Sequence, residues 1–94
     1  MNDFRMKSLL EVVRAGGISA AAENLNLTQP AVSQHIAALE ETYGVELLKR
    51  SGRRSVPTHA GRRLYRYAER LEALYRSIER EMAGFQLAVK TYDV

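Results

Sequence analysis

The chain has 94 residues, a length for one small domain with a modest core, not for two domains. It has no cysteine, which excludes disulfides, thiolate zinc sites and cysteine nucleophiles and fits a reducing compartment. The net charge of +3 is a weak signal, no apolar run reaches membrane-span length, and the N-terminus lacks a signal-peptide layout, so a cytoplasmic address is expected.

The first predicted helix covers about residues 3–15, with Phe4, Met6, Leu9, Val12 and Val13 on one broad apolar face. Asp3 is its expected N-cap and Gly16-Gly17 its stop. A short second helix follows from residue 18 or 19 to about 25. Its Ala20-Ala21-Ala22 run is small enough to let another helix approach closely. The link Asn26-Leu27-Thr28 leads into a third helix over 29–43, capped by Thr28, with Pro30 in the first turn and Gly44 at the end. Val32, Ile36, Leu39 and Tyr43 form its expected buried side. Gln29, Ser33, Gln34 and His35 occupy other faces, so its exposed beginning is polar and uncharged. A surface serving solubility alone carries Glu and Lys instead.

After Gly44 the helical period breaks. Val45-Glu46-Leu47-Leu48 and Arg54-Ser55-Val56 read as two short strands, with the turn at Ser51-Gly52. Pro57 blocks continuation and Thr58 caps a fourth helix over about 60–89. Leu64, Tyr67, Leu71, Leu74, Ile78, Phe85 and Ala88 keep a seven-residue repeat along it. Tyr75, Met82 and Val89 widen the stripe, and Glu81 interrupts one seam position. The expected fold is mainly α with a small β hairpin.

Charge is concentrated where the pattern breaks. Lys49, Arg50, Arg53, Arg54, Arg62, Arg63 and Arg66 fall in residues 49–66 with no acid among them, half of the chain's basic residues. A clustered excess of this kind suits a polyanion, because each neutralised phosphate releases counterions; it also suits an acidic protein or a merely solvated loop. Two short helices joined by a tight turn, the second with an exposed polar start, form a helix-turn-helix. An ordinary three-helix bundle with polar residues facing water is the alternative. A basic hairpin directly after the third helix turns the balance towards a wing. Gln can bond adenine bidentately, Ser and Thr can serve bases or phosphates, and arginines of a wing can follow phosphates or enter a narrow minor groove. Free N–H groups at the helix starts near Ser19 and Thr28 favour phosphate oxygens.

The string from Ile18-Ser19-Ala20-Ala21-Ala22-Glu23-Asn24-Leu25 through Leu27-Thr28-Gln29-Pro30-Ala31-Val32-Ser33-Gln34-His35-Ile36 resembles the N-terminal domain of LysR-type transcriptional regulators. So do Leu39-Glu40, Gly44, Leu47-Leu48-Lys49-Arg50 and Thr58-His59-Ala60-Gly61, the likeness running without a gap over about residues 6–64. The resemblance implies a winged helix-turn-helix over residues 1–59, with the helix-turn-helix at about 18–37 and the wing at about 45–57. It implies a linker helix over 60–89 that pairs two copies, and at 90–94 the first strand of an effector-binding domain that would follow. On this likeness Ser19, Thr28, Gln29, Pro30, Ala31, Ser33 and Gln34 lie at or near double-stranded DNA. Arg50, Arg53 and Arg54 form the wing contact, and Thr58 caps the linker helix near the backbone. Leu64, Tyr67, Leu71, Leu74, Ile78, Met82 and Phe85 make the dimer seam, with a tetramer as a further option for the intact protein. A small-molecule effector would bind only through the further domain. Departures are specific: Gln34 stands where the family often has Arg, and Gly17 where Ser is usual, leaving Ser19 to cap the second helix. Leu9 and Leu48 replace a frequent Phe, and Pro57 a usual Leu.

No catalytic group, metal or cofactor is expected. His35 and His59 have no cysteine and no suitable carboxylates about them, Ser33 and His35 do not face each other on a helix, and there is no glycine-rich phosphate loop. For the long helix a membrane-surface role is the alternative, opposed by Glu69, Glu72, Glu79 and Glu81 among its arginines. A purely structural dimerisation module and a basic RNA- or protein-binding domain are the competing classes for the whole chain. The first predicts no salt-dependent DNA affinity, the second a preference for single strands or acidic partners.

Overall fold

A computed structural model describes the backbone of residues 3–92 and the side chains of 3–88. Its order is α1 (Phe4–Ala15), α2 (Ile18–Leu25), α3 (Gln29–Tyr43), β1 (Leu48–Ser51), β2 (Arg54–Pro57) and α4 (His59–Tyr92). Asp3 caps α1 as expected, its carboxylate accepting from the N–H groups of Arg5 and Met6 at 3.0 and 3.3 Å. Thr28 caps α3 through the Ala31 N–H at 3.3 Å, with Pro30 in the first turn, where a missing N–H removes no helical bond. Ser19 does not cap α2. The cap position is Gly17, which has no side chain to offer, and Ser19 already lies one residue inside the helix, where its hydroxyl projects outward.

One core holds the first three helices and the start of the fourth. Met6, Leu9, Leu10 and Val12 meet Ala21 and Ala22 of α2, Val32, Ile36 and Leu39 of α3, Leu47, and Ala68 of α4. The alanines explain the close approach of α2. Tyr43, expected on the buried side of α3, is exposed, as is Phe4 at the start of α1, while Leu10 and Leu47 lie in the core. Ser8 is also fully buried, sharing a 2.7 Å hydrogen bond with Nδ1 of His35 that ties α1 to α3.

The hairpin is shifted from the sequence expectation. Residues 45–47 are not strand: Gly44 and Val45 both donate to the Glu40 carbonyl, finishing α3, and the Leu47 N–H donates to Glu40 Oε2 at 2.8 Å. The strands pair antiparallel from Leu48↔Pro57 to Ser51↔Arg54. The turn centres on Gly52-Arg53, one residue later than expected. Gly52 has φ 64° and Arg53 does not share the positive sign, the type II′ arrangement that matches strand twist.

Thr58 caps α4 with both functions of its hydroxyl, accepting from Gly61 N at 3.0 Å and donating to the Glu46 carbonyl at 2.6 Å. Helix α4 continues to Tyr92, so residues 90–92 are helical where a strand was expected. Among the described residues the only sheet is the two-stranded hairpin, which leaves an isolated strand there no ladder to join; residues 93–94 lie outside the described residues. At 1.5 Å per residue α4 is about 50 Å long, and the molecule extends 60 × 24 × 19 Å.

Polar bonds fasten α4 to α1 above the core. The Arg14 guanidinium grips Glu72 with two bonds of 3.0 and 3.4 Å, passes 3.9 Å from Glu69, and lies 6.0 Å from the Tyr65 ring centre. Arg76 adds a 3.0 Å bond to the same carboxylate. The hydrogen bond from Arg14 holds the Glu72 carboxyl below its ordinary range, against desolvation that would raise it, with Arg76 helping. A depressed carboxyl stabilises the fold above its unfolded pKa and loses that contribution as pH falls through the lowered value. The urea midpoint of Glu72→Gln should therefore lie below wild type at neutral pH and converge on it in acid below about pH 4; a constant gap at all pH values would contradict the assignment.

Candidate nucleic-acid interface

The start of α3 presents a compact polar tip. At about 100° per residue, Gln29, Pro30, Ser33 and Gln34 cover an arc of roughly 140°, and all four are exposed. Val32, Ile36 and Leu39 on the other side fix the roll of the helix in the core. Thr28 is exposed at the tip with its hydroxyl oxygen occupied by the Ala31 N–H. Ala31 is half-buried and lies off the arc.

Three attachments hold the hairpin beside this tip. Glu40 grips the Leu47 N–H, the Thr58 N–H donates to the Leu47 carbonyl at 3.0 Å, and Ser55 N–H donates to the Gly16 carbonyl at 3.3 Å. Between α2, α3 and the hairpin lies a cleft of about 210 Å³ lined by Ile18, Ser33, Ile36, Leu48, Arg50 and Ser55 with their neighbours. The cleft thus brings Ser33 of the tip together with Arg50 of the hairpin. Arg53 sits at the hairpin tip, exposed. Arg54 leans back over Gly16, its Nη2 2.9 Å from where a Cβ on that glycine would stand.

Electrostatics sort the surface sharply. Among the described residues, the ion pairs join Arg5 to Asp3, Arg14 to Glu69 and Glu72, and Arg76 to Glu72. The seven cations of residues 49–66 belong to none of these pairs. A solvated salt-bridged face would have neutralised them; here they remain open to an anion.

Thr58 and Ser19 stand apart from this grouping. Thr58 follows the hairpin base, about 13 Å from the turn at roughly 3.3 Å per residue, and its hydroxyl is bonded internally on both sides. Ser19 is exposed in the first turn of α2. The seam residues Tyr67, Leu71, Leu74, Ile78, Met82 and Phe85 are all exposed, Leu74 and Phe85 by nearly 60 %. Leu64 is half-buried against its own core. Such a row of apolar side chains along one helix face is far from the scattered exposure of an ordinary surface.

Several organising residues escape a reading by pattern. Glu40 receives three N–H groups, two on its carbonyl and one on its carboxylate, and so couples α3 to the hairpin. Its signal was the Leu39-Glu40 pair ahead of Gly44 and Leu47, which gave it no role. The Ser8–His35 and Arg14–Glu72 pairs join residues 27 and 58 positions apart, beyond any local periodicity.

The chain matches the family described as bacterial regulatory helix-turn-helix protein, lysR family, over residues 4–62. It is 44% identical over 82 residues to the probable HTH-type transcriptional regulator LrrA of Synechococcus elongatus, covering 87% of this chain and 28% of that protein. Among solved structures it is similar to the CbnR DBD–DNA complex, with TM-score 0.77 and 38% identity over 89% of this chain and 98% of that one. It is similar also to the BenM DBD in complex with catB site 1 DNA, with TM-score 0.83 and 29% identity over 88% of this chain and 92% of that one. The chain spans between 27% and 50% of the length of the first curated relatives it matches. These relatives are named as transcriptional regulators, a non-enzymatic class. The chain, a winged helix-turn-helix followed by a long helix, belongs to the LysR family of bacterial regulatory helix-turn-helix proteins.

Proposed function

We propose that this chain is the DNA-reading portion of a cytoplasmic transcriptional regulator, binding duplex DNA as a dimer on a partly palindromic operator. The observation that carries the proposal is the uncharged tip of α3 set beside cations that pair with no acid among the described residues. Gln29, Ser33 and Gln34 would meet base edges in the major groove, Pro30 and Ala31 would pack against its wall, and Thr28 would approach the backbone with the free N–H groups of the first turn. Arg50 and Arg53 would take phosphates or the flanking minor groove. Arg54, drawn towards Gly16, and Thr58, bonded on both sides, would contribute at the margin. Ser19 would offer its hydroxyl and the unbonded N–H groups at the start of α2 to a phosphate. Two copies joined along the exposed seam of α4 would set their tips in successive major grooves, about one helical turn of DNA or a multiple apart. The intact protein would carry the effector-binding domain after α4, through which a small molecule alters transcription.

Selection of bound duplexes from a random pool, followed by two variants, tests this reading. Gln29→Ala should relax preference at one base position by about 1–3 kcal/mol while leaving binding to random DNA intact. Arg53→Ala should weaken binding to every sequence and reduce the salt slope by about one unit. Equal losses for Gln29→Ala on selected and random duplexes, or an unchanged salt slope for Arg53→Ala, would contradict the assigned roles. Absence of any salt-dependent duplex affinity would leave a structural dimerisation module.

A further inference from the structure

The long helix meets its own domain over a short stretch. Its deepest contact is Ala68, fully buried, and beyond that point α4 carries mainly exposed residues. Among the described residues, the polar bonds between the two helices past Ala68 all end on Arg14, at the last turn of α1. Arg14 takes both oxygens of Glu72 and reaches Glu69. A planar guanidinium held by two parallel bonds fixes direction as well as distance, which a single bond to an ammonium does not. Glu72 lies on the face of α4 turned towards its own domain, about 120° around the helix from Ile78 of the apolar seam at 100° per residue, so the pair stands outside that seam.

We infer that the Arg14–Glu72 pair positions α4 relative to the reading head and thereby sets the half-site spacing that a dimer accepts. This rests on the proposed dimeric reading of DNA. The physical reason is leverage. From Glu72 to the end of α4 is about 30 Å at 1.5 Å per residue. A tilt of about 10° at the strap therefore displaces one end relative to the other by roughly 5 Å, whereas neighbouring base pairs stand about 3.4 Å apart along the duplex. A change too small to disturb the core is large enough to put the second tip out of register by one or two base pairs. Arg14 and Glu72 are positioning residues on this account, and neither need touch DNA.

The test uses the full chain and duplexes carrying two inverted copies of the selected half-site, the spacer altered one base pair at a time, beside a duplex with one half-site. Wild type should show a sharp optimum, with binding about tenfold weaker one base pair away. Glu72→Gln and Arg14→Gln, which break the same strap from opposite sides, should shift the optimum by one or two base pairs or flatten it to within about threefold. Their affinity for the single half-site should remain that of wild type, reporting an intact head. Arg76→Gln is the control, because Arg76 touches Glu72 from within α4 and bears no part of the angle; its optimum should stay put. A wild-type optimum retained in both strap variants overturns the inference, as does a loss that appears equally on the single half-site. A wild-type protein indifferent to spacing overturns the dimeric reading itself, and the inference with it.

Discussion

Gly61→Ala should unfold far more easily than wild type, losing about 3 kcal/mol and roughly 15 °C in the thermal midpoint. A Cβ at this position would overlap the Leu47 carbonyl oxygen, and a backbone carbonyl cannot swing aside as a flexible side chain does. That carbonyl is itself committed, accepting the Thr58 N–H at 3.0 Å. Relief therefore requires moving the first turn of α4 away from residue 47, which breaks the Thr58 cap and draws Leu47 out of the core. Gly84 supplies the matched control. It lies in the same helix with nothing within 4 Å of an added Cβ, so Gly84→Ala should be neutral or stabilise by up to about 1 kcal/mol through helix propensity alone. Thermal melts of the two variants decide the matter; similar losses for both would show that the effect belongs to the helix and not to the contact with Leu47.

If two copies pair along α4 as proposed, Leu71→Asp or Ile78→Asp should yield a monomer in sedimentation where the parent chain gives a dimer. Both side chains are exposed in the single chain, Leu71 by 39 % and Ile78 by 46 %, so a carboxylate there costs the isolated fold little. Across a two-fold seam the same change brings charges near one another and leaves them poorly hydrated. Binding to a two-half-site operator should fall by about 10²–10⁴-fold, since the second tip then arrives from solution and not from a tethered neighbour. Affinity for one half-site should persist, which separates this loss from damage to the reading tip. A dimer that survives both substitutions would place the self-association surface elsewhere.

How much of this was legible in the residues follows from the range of the interactions. Helices α1, α2 and α3 are marked by local signals: Asp3 and Thr28 at the caps, Gly16 and Gly44 after the last turns, and apolar residues at helical spacing. Local signals also place the uncharged tip and the basic hairpin. The first strand starts later than the residues suggest because Leu47 is apolar and next to Leu48, which looks like strand, whereas its N–H is claimed by a carboxylate seven residues earlier. Tyr43 keeps the helical spacing of the core yet stands outside it, since α3 outruns the helices that cover it. Ser19 looked like a cap for want of a side chain at Gly17, but the helix starts at residue 18 regardless. The Arg14 strap and the Ser8–His35 bond depend on the fold being complete before their partners meet.

The separation of charge from the α3 tip has a consequence for how the protein would search a chromosome. On the proposed reading, the open cations of the hairpin and the start of α4 would still find phosphates on a mismatched duplex, while the neutral tip would gain little from wrong base edges. Residence on random DNA would then be governed by ionic strength, and arrest at a target by a handful of amide and hydroxyl bonds. Speed of scanning and strictness of choice would then be written in different side chains, so a mutation could retune one while sparing the other.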